Sequence, residues 1–110
     1  MASLTPKLLY VGNDNSSNVY TVSNTSGSYT ILRNINICNT TTNAVVCSLY
    51  LISAAGTPGN NNAVLKDFAL TSSETISYDA GVVMDSGYKL HVVNANSACT
   101  FTISGVEYSA

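Results

Sequence analysis

Side chains that could do catalytic or metal chemistry are few in this chain. His91 is its only histidine, and a cysteine nucleophile would need that ring within about 3 Å of its sulfur. Alternation along Tyr88–Asn94 puts His91 on a solvent face, whereas Cys47 has the parity of buried residues, so the two should not meet. With one histidine and no Cys-x-x-Cys pair, the usual zinc spacings are also missing. The sequence therefore predicts neither a cysteine protease-like site nor a zinc site.

Asp14 is the remaining candidate ligand, because it lies in GNDNSSN, which resembles a fragment of a calcium-binding loop. Such loops use several carboxylates and a terminal Glu, whereas this segment supplies one carboxylate. An Asx-rich turn is the better interpretation. No glycine-rich phosphate-binding pattern follows a strand either. We therefore expect a protein that is not an enzyme and that uses no cofactor and no metal.

Charge is scarce, which narrows the choice of partner. Charged residues make up 9% of the 110 residues, and the net charge is −2. The four basic residues are spread along the chain and form no stripe that could neutralise phosphates, so we expect no nucleic-acid binding. No run of eighteen apolar residues and no signal-peptide pattern occurs, so we expect no membrane association and assembly in a host cytoplasm. A neutral surface rich in Ser, Thr and Asn suits contact with other protein.

The three cysteines are predicted to be reduced thiols. An odd number argues against a secreted disulfide framework. If the strands of the central segment alternate regularly, Cys38 faces away from the side that carries Cys47, and side chains on opposite faces of a sheet cannot be bridged. Cys99 shares the parity of Phe101 and is expected to be a buried free thiol.

The chain reads as strands throughout. Eight or so short alternating runs follow one another about every ten residues, with turn signals between them, which predicts an all-β fold: an antiparallel β-sandwich or jelly roll. The segment AVLKDFAL could instead form a helical turn. We expect one domain over residues 7–110, preceded by an extended arm over residues 1–6 that is either a strap onto a neighbour or a disordered end. The predicted strands are Lys7–Val11, Asn18–Val22, two within Tyr29–Ser53, Ala63–Leu70, Glu74–Tyr78, Gly81–Met84, Tyr88–Asn94 and Cys99–Tyr108.

The segment Tyr29–Ser53 has the strongest alternation and predicts a half-exposed antiparallel hairpin. Its odd positions, Ile31 and Ile35 among them, are expected to be buried. The opposite parity carries an apolar set too large to stay wet on a small monomer, so we expect it to form an interface. Together with the apolar residues of the arm, the candidate interface residues are Leu4, Pro6, Leu32, Val46, Tyr50 and Ile52.

Three motifs resemble those of the small β-sandwich virion proteins of tailed bacteriophages. They are the string YTILRNINICNTTTNAVVCSLYL, the acidic-to-glycine turn in GVVMDSGYKLHVV, and the ending CTFTISGVEY. The resemblance extends from Leu8 to Tyr108. Proteins of this kind serve as head decoration (cement) proteins and as small tail or fibre modules.

The resemblance implies a structural virion protein without catalytic residues. Its first implication is a capsid cement or decoration protein on the outside of the phage head, with the major capsid protein of the same phage as partner. Copies are expected to self-associate, as a trimer in the first instance. The alternative is a carbohydrate- or receptor-binding tail or fibre module that uses exposed tyrosines.

Overall fold

A computed structural model describes residues 3–109. Eight β-strands and one short 3-10 turn, Ala95–Ser97, make up the regular structure of this part of the chain. The strands are β1 (Ser3–Gly12), β2 (Ser16–Thr21), β3 (Tyr29–Asn39), β4 (Val45–Ile52), β5 (Ala63–Leu70), β6 (Thr75–Asp85), β7 (Lys89–Asn94) and β8 (Cys99–Ser109).

The strands form two four-stranded antiparallel sheets that face each other. The front sheet has the order β1-β8-β3-β6, and the back sheet has the order β2-β7-β4-β5. Strand β1 pairs with β8, β2 with β7, β3 with β6, and β4 with β5. This is the pairing of one long hairpin rolled up on itself, which defines a jelly roll. The expected all-β, eight-stranded fold is confirmed.

The core lies between the sheets and is almost wholly aliphatic. Ile35 and Ile37 of β3, Leu49 of β4 and Phe101 of β8 are fully buried. Alternation explains these positions, because each strand turns every second side chain toward the facing sheet. Further buried members are Val22, Leu32, Cys47, Leu65, Leu70, Met84, Leu90, Val92, Cys99 and Ile103.

One predicted element differs from the structure, and one predicted strand is confirmed over its helical alternative. The runs predicted at Glu74–Tyr78 and Gly81–Met84 form one strand, β6, which continues through Ala80. AVLKDFAL is a strand, β5, and no helical turn. Of the predicted arm, Met1 and Ala2 lie outside the described residues. Residues 3–6 belong to β1 and pair with the last residues of β8, with Leu4 opposite Tyr108 and Pro6 opposite Val106.

The predicted hairpin of β3 with β4 is wrong. Strand β3 lies in the front sheet between β8 and β6, and β4 lies in the back sheet between β7 and β5. The connection 40–44 crosses from one sheet to the other, so the buried faces of the two strands oppose each other across the core. Alternation shows that a strand has one buried face. It does not distinguish two strands lying side by side from two lying face to face.

Leu32 is buried, contrary to the expectation that it would be exposed. The register of β3 shifts between Leu32 and Asn34 against both of its neighbours. This β-bulge reverses the alternation: Thr30 and Leu32 point inward before it, and Ile35 points inward after it. Ile31, which regular alternation assigned to the core, therefore lies on the outer face.

Tyr50 and Ile52 are also buried, with 8% and 3% of their surface exposed. They do have the outward parity, because they pair with His91 and Lys89 of β7. Strand β4, however, has hydrogen-bonded neighbours on both sides, and its register against β5 is irregular after Cys47 and again after Leu49. Four consecutive residues, 47–50, are buried as a result. Both faces of this stretch are covered within the chain itself.

Asn39 holds the turn that follows β3. Its side chain is 1% exposed and satisfies all four of its hydrogen-bonding positions. Nδ2 donates to the carbonyl oxygens of Asn43 (2.8 Å) and Thr71 (2.9 Å), and Oδ1 accepts from the backbone N–H (2.9 Å) and the hydroxyl (2.7 Å) of Thr41. The side chain thus ties the β3–β4 connection to the β5–β6 connection.

The structure places the three cysteines as free thiols in different environments. Cys38 points outward from β3 and is partly exposed, whereas Cys47 and Cys99 are buried. Burial raises the pKa of Cys47 to about 12, with a further contribution from Cys99. Burial also raises the pKa of Cys99. Since the thiolate is the reactive form, these two should resist alkylation at neutral pH.

We therefore expect iodoacetamide to label one cysteine, Cys38, in the native protein and all three after unfolding without a reductant. Peptide mass spectrometry would identify the labelled position. A native label on Cys47 would contradict the packing described above, and a missing label after unfolding would reveal a disulfide.

Candidate protein-binding face

The outer face of the front sheet carries an unusual row of side chains. Antiparallel pairing places Pro6 of β1 beside Val106 of β8, Val106 beside Ile31 of β3, and Ile31 beside Val83 of β6. One apolar residue from each of the four strands therefore forms a continuous band across the whole sheet. In an ordinary exposed sheet this row would be polar.

The neighbouring row extends the band. Leu4 of β1 lies beside Tyr108 of β8, which lies beside Tyr29 of β3. The two tyrosine rings stack, with centroids 4.8 Å apart and planes 16° apart. Leu8, two residues beyond Pro6 on the same face, adds a further aliphatic side chain. We call these residues the apolar patch: Leu4, Pro6, Leu8, Tyr29, Ile31, Val83, Val106 and Tyr108.

The patch is open to solvent. Leu4 is 62% exposed, Leu8 51% and Val83 58%. Strands lie about 4.8 Å apart and same-face neighbours about 6.8 Å apart along a strand, so the patch covers about 300 Å². The largest apolar patch on a monomer is commonly about 300–600 Å² and often functional, so this surface is a candidate interaction site.

Charges surround the patch and do not enter it. Asp85 pairs with Tyr29 at the end of the tyrosine row, and Asp79 pairs with Asn34 beyond the bulge. Asn34 donates to Asp79 (3.0 Å) and to Ser77 (3.0 Å), so this neighbouring polar area is already hydrogen-bonded. The face therefore combines an apolar centre with a polar rim, which is the composition of a protein interface.

The candidate interface residues predicted from the sequence fall into three places. Leu4 and Pro6 lie in the apolar patch. Val46 is 51% exposed but lies on the back sheet, away from the patch. The structure does not bring these six residues together. The remaining three are buried in the chain: Leu32, Tyr50 and Ile52.

Sequence reasoning missed most of the patch although part of the signal was present. In β8, Thr100, Thr102 and Ser104 have the outward parity, and continuing that parity reaches Val106 and Tyr108. Two apolar residues on an otherwise polar face are the mark of a covered surface. Ile31 could not be found in this way, because the bulge that turns it outward leaves no trace in the alternation.

Three titratable side chains form a hydrogen-bonded group between the two sheets. Tyr20 of the back sheet donates a short hydrogen bond to Glu107 of the front sheet, and its hydroxyl also lies 2.8 Å from Oγ1 of Thr30. Burial, then Glu107, raises the pKa of Tyr20 to about 12, so this tyrosine stays a donor. Lys7 pairs with the same carboxylate at 3.3 Å. Tyr20, Glu107 and Lys7 therefore join the two sheets near the end of β8.

His91 lies on the outer face of the back sheet, as predicted. Its Nδ1 donates to Oδ1 of Asn18 (2.9 Å), and Nε2 lies 3.4 Å from the Ser16 hydroxyl. Burial lowers the pKa of this ring, which favours its neutral form. Across residues 3–109, no three His, Cys, Asp or Glu side chains are grouped so that they could hold a metal ion. The same range contains no helix long and apolar enough to span a membrane.

Known proteins show only weak similarity to this chain. No family model and no curated protein matches this chain. Among solved structures, infectious bursal disease virus of the Gx strain matches with 17% identity and a TM-score of 0.39, and the Gt strain with 16% and 0.40. Each match covers 98% of this chain and 28% of the other, so the chain spans little more than a quarter of their length. TM-scores of this size support no conclusion about function.

Proposed function

We propose that this protein is a structural, non-enzymatic component of a bacteriophage virion, a cement or decoration protein that binds the outer surface of the head. The observation that carries the proposal is the apolar patch, a band of uncharged side chains that crosses all four strands of the front sheet. The sequence resemblance to small virion proteins supports the same assignment. The jelly-roll fold does not distinguish a capsid component from a carbohydrate-binding module, because it occurs in capsid proteins and in lectins alike.

The size of the patch favours binding to an assembled capsid over the formation of an isolated dimer. A stable interface between two proteins buries about 800 Å² on each partner, and the patch offers about 300 Å². Two free copies would therefore associate weakly through it. On a capsid the surrounding polar rim can add contacts to neighbouring subunits. Bound copies stabilise the assembled shell because they bind it in preference to its free subunits.

In this proposal the partner is the major capsid protein of the same phage. Copies of the chain also contact each other on the shell, as trimers in the first instance. The patch itself holds no charged side chain, and Asp79 and Asp85 lie only at its border. Screening by salt acts on charges, so binding should depend weakly on ionic strength.

Replacing Val83 by aspartate should abolish most of the binding to heads. A carboxylate at the β6 end of the band would have to be desolvated, and losses at buried interface positions reach about 2 kcal/mol or more, roughly thirtyfold in affinity. Cosedimentation with undecorated, expanded heads would measure the effect. Val46→Asp is the matched control, because Val46 is equally exposed but lies on the back sheet. It should bind like the unchanged protein.

The same assay has outcomes that would overturn the proposal. Binding by the unchanged protein should persist from low to molar salt, and free sugars should not compete. Sedimentation with host envelopes and not with heads would favour a receptor-binding module instead. Equal loss in both valine variants would show that the patch is not the binding face.

A further inference from the structure

A second surface feature lies where the edge strands of the two sheets diverge. Strands β5 and β6 are the unpaired edges on one side of the sandwich, and the sheets leave a cavity of about 580 Å³ between them. This volume is within the range of small-molecule sites. The lining residues are Leu51, Ser53, Asn61, Asn62, Ala63, Val64, Tyr78, Val82 and Tyr88. None of them belongs to the apolar patch.

The lining combines two aromatic rings with neutral polar groups. Tyr78 is 43% exposed and faces the cavity from β6, while Tyr88 lines it from the turn before β7. Within the described chain, neither tyrosine hydroxyl, nor the Ser53 hydroxyl, nor the Asn61 amide has a side-chain hydrogen bond. Leu51 and Val64 supply an apolar floor. No charged residue lines the cavity.

The walls are held in place before any ligand arrives. The side chain of Asn62 accepts from the backbone N–H of Gly59 (2.9 Å) and donates to the carbonyl of Thr57 (2.8 Å). The backbone N–H of Leu51 donates to the carbonyl of Asn62 at 2.9 Å, which ties this loop to β4. A wall that is already ordered loses little entropy on binding.

We infer that this cavity binds a neutral oligosaccharide. A pyranose presents an apolar ring face that suits a tyrosine ring and hydroxyls that suit Ser, Asn and tyrosine OH groups. The absence of charge in the lining favours neutral sugars over acidic ones, which would lose their hydration without gaining a counter-ion. The inference goes beyond the proposed head binding, and because the cavity and the patch share no residue, either can fail alone.

Saturation-transfer NMR with five sugars would test the inference. Cellotriose, maltotriose, diacetylchitobiose and lactose are the neutral probes, and sialyllactose is the charged counterpart of lactose. We expect transfer to at least one neutral probe, and less to sialyllactose than to lactose. Tyr78→Ala and Tyr88→Ala should each weaken binding by up to about tenfold. Leu8→Ala, in the patch, should leave it unchanged.

Three results would overturn the inference. They are no transfer to any neutral probe at millimolar concentration, transfer that persists unchanged in both tyrosine variants, and stronger transfer to sialyllactose than to lactose. Circular dichroism and thermal unfolding of each variant would show that a loss of binding is not a loss of fold. Head binding of the tyrosine variants should equal that of the unchanged protein.

Discussion

Replacing Asn39 by aspartate should lower the free energy of unfolding by about 3–5 kcal/mol, a large part of the stability of a domain of this size. The two side chains have nearly the same shape, so the effect is chemical. The amide donates to the carbonyl oxygens of Asn43 and Thr71. A carboxylate would present an acceptor to both of them, which leaves the carbonyls unsatisfied and buries a charge.

Urea unfolding followed by circular dichroism would measure this change. Asn36→Asp is the matched control, because Asn36 lies in the same strand and is exposed on the outer face. That variant should stay within about 0.5 kcal/mol of the unchanged protein. The defect of Asn39→Asp should shrink in acid, since protonation removes the buried charge and restores one donor. Similar losses in both variants would contradict the role assigned to Asn39.

Gly105→Ala should cost about 3 kcal/mol, at the upper end of what overpacking usually costs. Gly105 lies in β8 between β1 and β3. A Cβ atom at this position would lie 2.3 Å from the carbonyl oxygen of Ile31 and 3.1 Å from Cδ1 of Leu9. The nearer atom is backbone in a central strand, so it can move only by disturbing the pairing of β8 with β3.

Gly81→Ala provides the control for this prediction. Gly81 is exposed in the edge strand β6, and an added Cβ would meet no atom within 4 Å. The variant should be neutral or slightly stabilised, because alanine restricts the unfolded chain more than glycine does. Thermal unfolding of the two variants in parallel would give the comparison. Equal stability of both would mean that β8 and β3 are farther apart than the structure places them.

Much of the architecture was predictable from alternation alone. Period-two patterns locate most of the strands, and the inward positions Phe101, Leu90 and Leu49 follow from them. The parity of Cys38 and Cys47 also came out correctly, although the hairpin from which it was argued does not exist. Each strand keeps its own buried face whichever partner it has, so the conclusion about the thiols did not depend on the pairing.

The residues of the candidate binding face were predicted less well, for two physical reasons. A single inserted residue in β3 moved Leu32 into the core and Ile31 onto the surface. In β4, a central position and irregular pairing buried Tyr50 and Ile52 despite their outward parity. Bulges and lateral neighbours are set by contacts distant in sequence, and a local pattern carries no information about them. Leu4 and Pro6 were chosen as apolar residues of a predicted arm, and the structure places them in the edge strand β1.

The position of β8 has a consequence for how the chain folds as it is synthesised. This strand is the last of the eight to leave the ribosome, and it is also the one that lies between β1 and β3. The front sheet therefore cannot complete its native pairing until β8 has been made, and β1 has no neighbour in the sheet before that point. Folding is expected to be slow, as long-range pairing requires. A nascent chain halted before Cys99 should remain sensitive to protease, and the aliphatic strands it exposes would need protection by chaperones.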